Sequence, residues 1–248
     1  MKSKMMFYWR KIHRYFGVII GIQLFFWTLG GIFFTWSNMD QIHGDTNRKP
    51  QKAITEFAEW KNPSTVFKQI SKSIPVDSIV TFRTINFLGE SFYQVRFFSS
   101  GQQKISLVNV KTGLVRPPLS EREAVQLAKE LFTPASEIVE TEYLVEGKLN
   151  KHHEYRNQPL PAYAITFAHN SGTTVYVSTE YGQALKFRNS NWRIFDFLWM
   201  MHTMDYQSRD HIGNTLLRIF SVLGLITILT GFVLYFKTTN WVFRKQRK

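Results

Sequence analysis

Two stretches of the chain are apolar on every helical face, and the region between them follows a different period. Residues 16–36 (FGVIIGIQLFFWTLGGIFFTW) contain no ionisable side chain, and residues 216–236 (LLRIFSVLGLITILTGFVLYF) contain only Arg218, near the start. At about 1.5 Å rise per residue, each is long enough to cross a hydrocarbon core of about 30 Å. The pattern predicts two membrane-spanning helices. The first is read as an uncleaved anchor rather than a signal peptide, because Phe33, Phe34, Thr35 and Trp36 offer no small-x-small cleavage site.

Between these stretches the period drops to two. Tyr93, Val95 and Phe97 alternate with polar neighbours, a Ser-Ser-Gly turn follows, and Ile105 and Leu107 continue the alternation to a turn at Gly113. Tyr163, Ile165 and Phe167, the turn at Asn170, Ser171 and Gly172, then Val175 and Val177 before Gly182 repeat the arrangement. Each hairpin follows a candidate helix. Ser120 and Glu123 form a capping box ahead of Ala124, Leu127, Ala128 and Leu131, while 62–71, with Val66, Phe67 and Ile70, is the earlier counterpart. One helix cannot cover a sheet twice its width, so two helix-plus-antiparallel-sheet units are expected, about 51–115 and 116–189, in an α+β domain within 37–190. Residues 191–215 are expected to form an interfacial helix, with Phe195, Leu198, Trp199 and His202 on its buried side and Arg193, Asp196 and Thr203 elsewhere, followed by a connector. In that connector Asp205, Arg209 and Asp210 read as exposed or ion-paired.

Charge sets the expected orientation. The net charge is +13, and ten of those charges lie in the two terminal stretches, 1–15 and 236–248, which contain no acid. Basic flanks are retained on the cytoplasmic side, so both tails are expected inside and the domain outside. Trp9, Tyr15, Trp36, Tyr235 and Trp241 fall where interfacial aromatic belts belong. Bases placed beside apolar spans, rather than over a folded groove, argue against nucleic-acid binding. With no cysteine, thiolate metal sites, disulfides and cysteine nucleophiles are excluded. Gly17 and Gly21 form a small-xxx-small pair, and with Gly30, Gly31, Gly224 and Gly231 they are read as helix-packing positions, within the chain or in a homodimer. Gln23 and Thr28 are expected to bond across the same contact.

The segment AVQLAKELF, followed by PAYAITF and SGTTVYVSTEYGQAL, resembles a PepSY domain. KIHRYFGVIIGIQLFFWTLGGIFFTW and LWMMHTMDY with the second span resemble the membrane parts of the PepSY-associated transmembrane family of bacteria. The quoted marks are the HR-x-x-G at His13 to Gly17, the H-T-M from His202, and the late Thr230-Gly231. The resemblance implies a short, two-span member in the bacterial cytoplasmic membrane. Larger members resemble haem-bearing reductases linked to iron and siderophore uptake, in which membrane histidines hold haem b.

That implication makes His202, His211, His13 and His43 the candidate haem ligands. His13 and His202 are expected at opposite membrane faces, too far apart for one iron, so His202 would need His211, His43 or a second subunit. The bland readings stand beside it: His202 as an interfacial imidazole, His13 as a cationic anchor near lipid headgroups, and His43 in a structural loop. His152, His153 and Glu154 lie in the polar run GKLNKHHEYRNQ, which has no metal-ligand spacing and reads as an exposed connector. No nucleophile motif or phosphate loop stands out. The expected function is a membrane-anchored accessory or binding subunit of a larger complex, with lipid and other membrane subunits as partners. The alternatives are a b-type haem electron carrier and, less strongly, a regulator of an extracytoplasmic protease.

Overall fold

The computed structural model describes residues 2–51, 53–55, 59–209 and 211–238. In chain order the helices are α1 (Lys2–Trp36), α2 (Met39–His43), α3 (Pro63–Ser71), α4 (Glu121–Leu131), α5 (Ser190–Thr203) and α6 (Thr215–Thr238). The strands are β1 (Ser78–Phe87), β2 (Glu90–Ser99), β3 (Gln102–Asn109), β4 (Ile138–Leu144), β5 (Ala162–Phe167), β6 (Thr174–Ser178) and β7 (Gln183–Arg188). The chain divides into two compact units, one from 1–37 with 194–248 and the other from 38–193.

In the helical unit, Phe7–Trp36 and Thr215–Phe236 are long and apolar enough to cross a membrane, at 30 and 22 residues. α1 starts earlier than expected because the basic stretch before residue 16 continues the helix without a proline or glycine to stop it. α1 packs on α6 along a narrow seam that includes His13, Ile20, Thr230 and Gly224. A Cβ at Gly224 would stand 3.8 Å from Ile20 Cγ2, so a small residue brings the two backbones close. Away from the seam, Val18, Ile19, Ile22, Phe25, Val222, Leu225, Leu229 and Phe232 are exposed. An apolar surface of this extent is stable against lipid and costly against water.

The α+β unit contains two antiparallel sheets, ordered β1-β2-β3 and β4-β5-β6-β7. α3 starts where expected: the Asn62 side chain accepts from the Thr65 N–H at 2.9 Å, and Pro63 occupies the first turn. Its Val66 and Ile70 pack on Tyr93, Val95, Phe97 and Val108, the odd-numbered face of β2 and its partner positions on β3. α4 has the capping box read from Ser120 and Glu123, and it places Ala124, Leu127, Ala128 and Leu131 against Ile165, Phe167, Val175 and Val177. The other face of the first sheet, through Ile85, Phe87, Phe92 and Leu107, joins this second core. The two repeats therefore share one interior.

Two details fix that junction. Gln94 is fully buried, donates through Nε2 to the Tyr181 carbonyl at 2.6 Å, and accepts from Arg83 Nε at 2.6 Å. Gly182 turns at φ 62°, and a Cβ there would lie 2.6 Å from Leu107 Cδ1. Only glycine satisfies both the left-handed backbone and the lack of space.

The hairpins β2–β3 and β5–β6 match the sequence reading, while β1, β4 and β7 extend it. β1 and β4 border their sheets, and the water-facing positions of a border strand interrupt period-two alternation. The connector at 148–159 is not the exposed loop expected of it. Tyr155 is buried and stacks on Tyr176 at 5.0 Å, with Leu144, Ala162 and Ala164 around them. His153 Nδ1 accepts from the Tyr155 N–H at 3.0 Å, and Glu154 pairs with Arg193. A polar run is drawn in because one aromatic ring within it fills a core and its charge has a partner.

Candidate functional site

The histidines expected to matter lie at separate stations. His13 sits within the helix seam, its Nδ1 2.9 Å from Thr230 Oγ1. Thr230 directs its hydroxyl hydrogen to the Thr227 carbonyl at 2.9 Å, so the ring nitrogen donates. The imidazole lies over Gly231, where a Cβ would be 3.3 Å from His13 Cε1. Any larger residue there would push the ring away.

His202 lies near the end of α5 inside an aromatic group. Its ring centroid is 5.9 Å from Trp27, 5.9 Å from Phe34 and 6.3 Å from Trp199. The backbone around it is held by α1: Trp27 Nε1 donates to the His202 carbonyl at 2.8 Å, and Gln23 Nε2 to the Met201 carbonyl at 3.0 Å. Gln23 thus bonds to α5, whereas Thr28 turns back to the Leu24 carbonyl of its own helix at 2.8 Å. His202 Nδ1 is buried without a hydrogen-bond partner, and Gly30 flanks it, with a Cβ position 3.9 Å away.

α5 packs Phe195, Trp199 and His202 beside Phe34 as expected, but it also buries Asp196 and Thr203. Asp196 is 3% exposed, whereas Ile194 and Phe197 are 48% and 52% exposed. The cause is pairing: Arg209 reaches Asp196 in an ion pair, and Thr203, also buried, donates to the Trp199 carbonyl at 2.9 Å. Asp205 organises the connector, with one carboxylate oxygen accepting from Ser208 Oγ and from the His211 N–H, and the other from the N–H groups of Gln207 and Ser208. Burial pushes its pKa up, but these donors outweigh burial and hold the carboxyl well below the usual carboxylate range. Asn214 starts α6, accepting from the Leu217 N–H at 2.8 Å and donating to the Thr203 carbonyl at 2.8 Å. Sequence reading missed Asp205 and Asn214 as organisers, although an Asp or Asn ahead of an apolar run is a cap signal. Asp210 and Trp241 lie outside the described residues.

His211 is exposed, its Nε2 3.6 Å from the Cβ position of Gly213. His43 closes α2 in the α+β unit and is also exposed. Among the described residues, no ring contact joins any two of these four histidines, and no group of three His, Cys, Asp or Glu is placed to hold a metal ion. A b-type haem needs two axial nitrogens about 4 Å apart. His13 and the Trp27 that borders His202 are separated on α1 by about 21 Å at helical rise. His13 and His202 of one chain, as placed, cannot be the two axial ligands of one haem iron.

The glycines divide in the same way. Gly30, Gly224 and Gly231 lie against other elements of the helical unit, while at Gly17, Gly21 and Gly31 an added Cβ would meet nothing within 4 Å. One family model, the PepSY-associated TM region, matches residues 10–248. The chain belongs to that family. The match takes in both membrane helices and the whole α+β unit of this PepSY-associated TM protein, so it is a membrane protein. No curated protein and no solved structure matches it.

Proposed function

We propose that this PepSY-associated TM protein is a membrane-anchored accessory subunit: α1 and α6 hold it beside other membrane proteins, and the α+β unit stands outside the cytoplasm and binds a partner. The basic ends support this orientation, because ten of thirteen net charges flank the apolar helices and cationic flanks stay in the cytoplasm. The observation that carries the reading is the unused close-approach surface of α1. Gly17 and Gly21 lie one helical turn apart and face open space, although the α1–α6 pair already employs two other glycines, Gly224 and Gly231. Backbones that approach this closely attract each other in lipid through dispersion rather than hydrophobic burial.

Purification of the full chain from its membrane in mild detergent tests it. A defined set of companion subunits is expected with the natural chain, and it is expected to be lost when Gly17 and Gly21 are both changed to Leu. A chain that isolates alone as a monomer under every mild condition overturns the reading.

A further inference from the structure

We infer that the free edge of β4 takes up an extended basic segment of a partner protein as a fifth strand of the second sheet. This rests on the accessory-subunit reading and gives that reading a docking place and a partner chemistry.

The edges of the two sheets differ in cover. The outer side of β3 is closed by the bridge between Val108 and Val115. β7 has α2 beside it, and Arg48 lies over Phe187 at 5.2 Å. Gln51 and Ile54 line a cavity with Arg83, Thr84 and Ile85 of β1. Among the described residues, β4 is the last strand of its sheet and pairs only with β5. α4 packs chiefly on β5, β6 and β7; on β4, Ile138 reaches the main core, while the positions beyond it are more open. Val139 is 69% exposed and Tyr143 is 49% exposed. Tyr143 leans on Tyr163 at 4.8 Å, and Tyr163 packs against the main core. Tyr143 thus extends the interior onto the edge, and Val139 is exposed where β4 shifts register.

Charge then selects the occupant. Glu137, Glu140, Glu142 and Glu146 fall within ten residues that contain no Lys or Arg, in a chain of net charge +13. Glu140 and Glu142 are exposed, on the face opposite Tyr143. Charged edges ordinarily repel a second strand. These acids repel a second copy of β4 and attract Lys or Arg. Because side chains alternate along the regular part of β4, from Glu140 to Leu144, an incoming segment that alternates apolar and basic residues places the first over Tyr143 and the second beside Glu140 and Glu142.

The test uses the full chain in detergent and a short fluorescent peptide that alternates Lys with Val or Tyr, read by anisotropy. The control peptide has the same composition with its Lys residues in one block. The alternating peptide is expected to bind at least tenfold tighter than the block peptide, and Glu140→Lys with Glu142→Lys is expected to weaken it about tenfold. Equal binding of the two peptides, or no binding, overturns the strand site. The chain has no cysteine, so Thr141→Cys gives a clean second probe, and efficient disulfide formation between two copies overturns it in favour of self-pairing. Companion subunits that stay with a natural chain unable to bind the peptide remove the edge site and leave the accessory reading intact. Peptide binding by a chain that always isolates alone supports the edge site and removes the accessory reading.

Discussion

In the helical unit Asp196, Thr203 and Gln23 are buried while Ile194, Phe197 and Phe25 face outward; in the α+β unit Phe97, Val177 and Tyr155 are buried while Glu140 and Glu142 face outward. The same side chains occupy opposite positions because the two units are built for different surroundings. Where lipid surrounds the protein, apolar contact outside costs nothing and polar groups must find partners inside. Where water surrounds it, apolar area is removed to the interior at about 25 cal/mol per Å². A buried polar residue therefore carries different weight in the two units.

The comparison breaks first at the ion pair. Asp196→Ala leaves the part-buried Arg209 without its carboxylate, and a loss of about 3 kcal/mol is expected in the stability of the helical unit, measured by denaturant unfolding in detergent. An effect below about 1 kcal/mol would mean that Arg209 reaches solvent and that this interior is not dry. Gln94→Leu in the α+β unit leaves the Tyr181 carbonyl without its donor, while the exposed Arg83 keeps Gln183, and about 2 kcal/mol is expected by the same measurement, with the loss confined to that unit. The smallest effect belongs to the seam. Thr230→Val removes the acceptor for His13, and about 0.6 kcal/mol is expected, because polar contacts between membrane helices find substitutes in the unfolded state. A loss as large as that at Asp196 would place His13 among the main determinants of the helix pair.

Much of this organisation was legible before any coordinates. Apolar runs without charge, the capping box at Ser120, the Asn62 start and the two alternating hairpins are local signals, each decided within a few residues. β1 and β4 were not legible, because a border strand shows water on positions that an inner strand buries. Nor was the fate of the connector at 148–159, whose composition is that of a surface loop until Tyr155 finds the space beside Tyr176.

The candidate site divides similarly. Sequence selected His13, His202 and His211 as the histidines nearest membrane chemistry; the first two are set in the helical unit, one on Thr230 and one between Trp27 and Trp199, whereas His211 is exposed. It gave α5 a buried aromatic face and an outward Asp196, whereas the fold buries Asp196 because Arg209, thirteen positions along, returns to neutralise it.

By itself, the sequence determined that two helices are too apolar for water, that the insert is α+β, and that positive charge gathers at the two ends. These follow from composition and period, which each segment carries alone. The tertiary structure decided which glycines are used, which histidine nitrogen is left without a partner, and which strand keeps an open edge. Those depend on what a distant part of the chain places beside a residue, and neither hydropathy nor spacing encodes that neighbour.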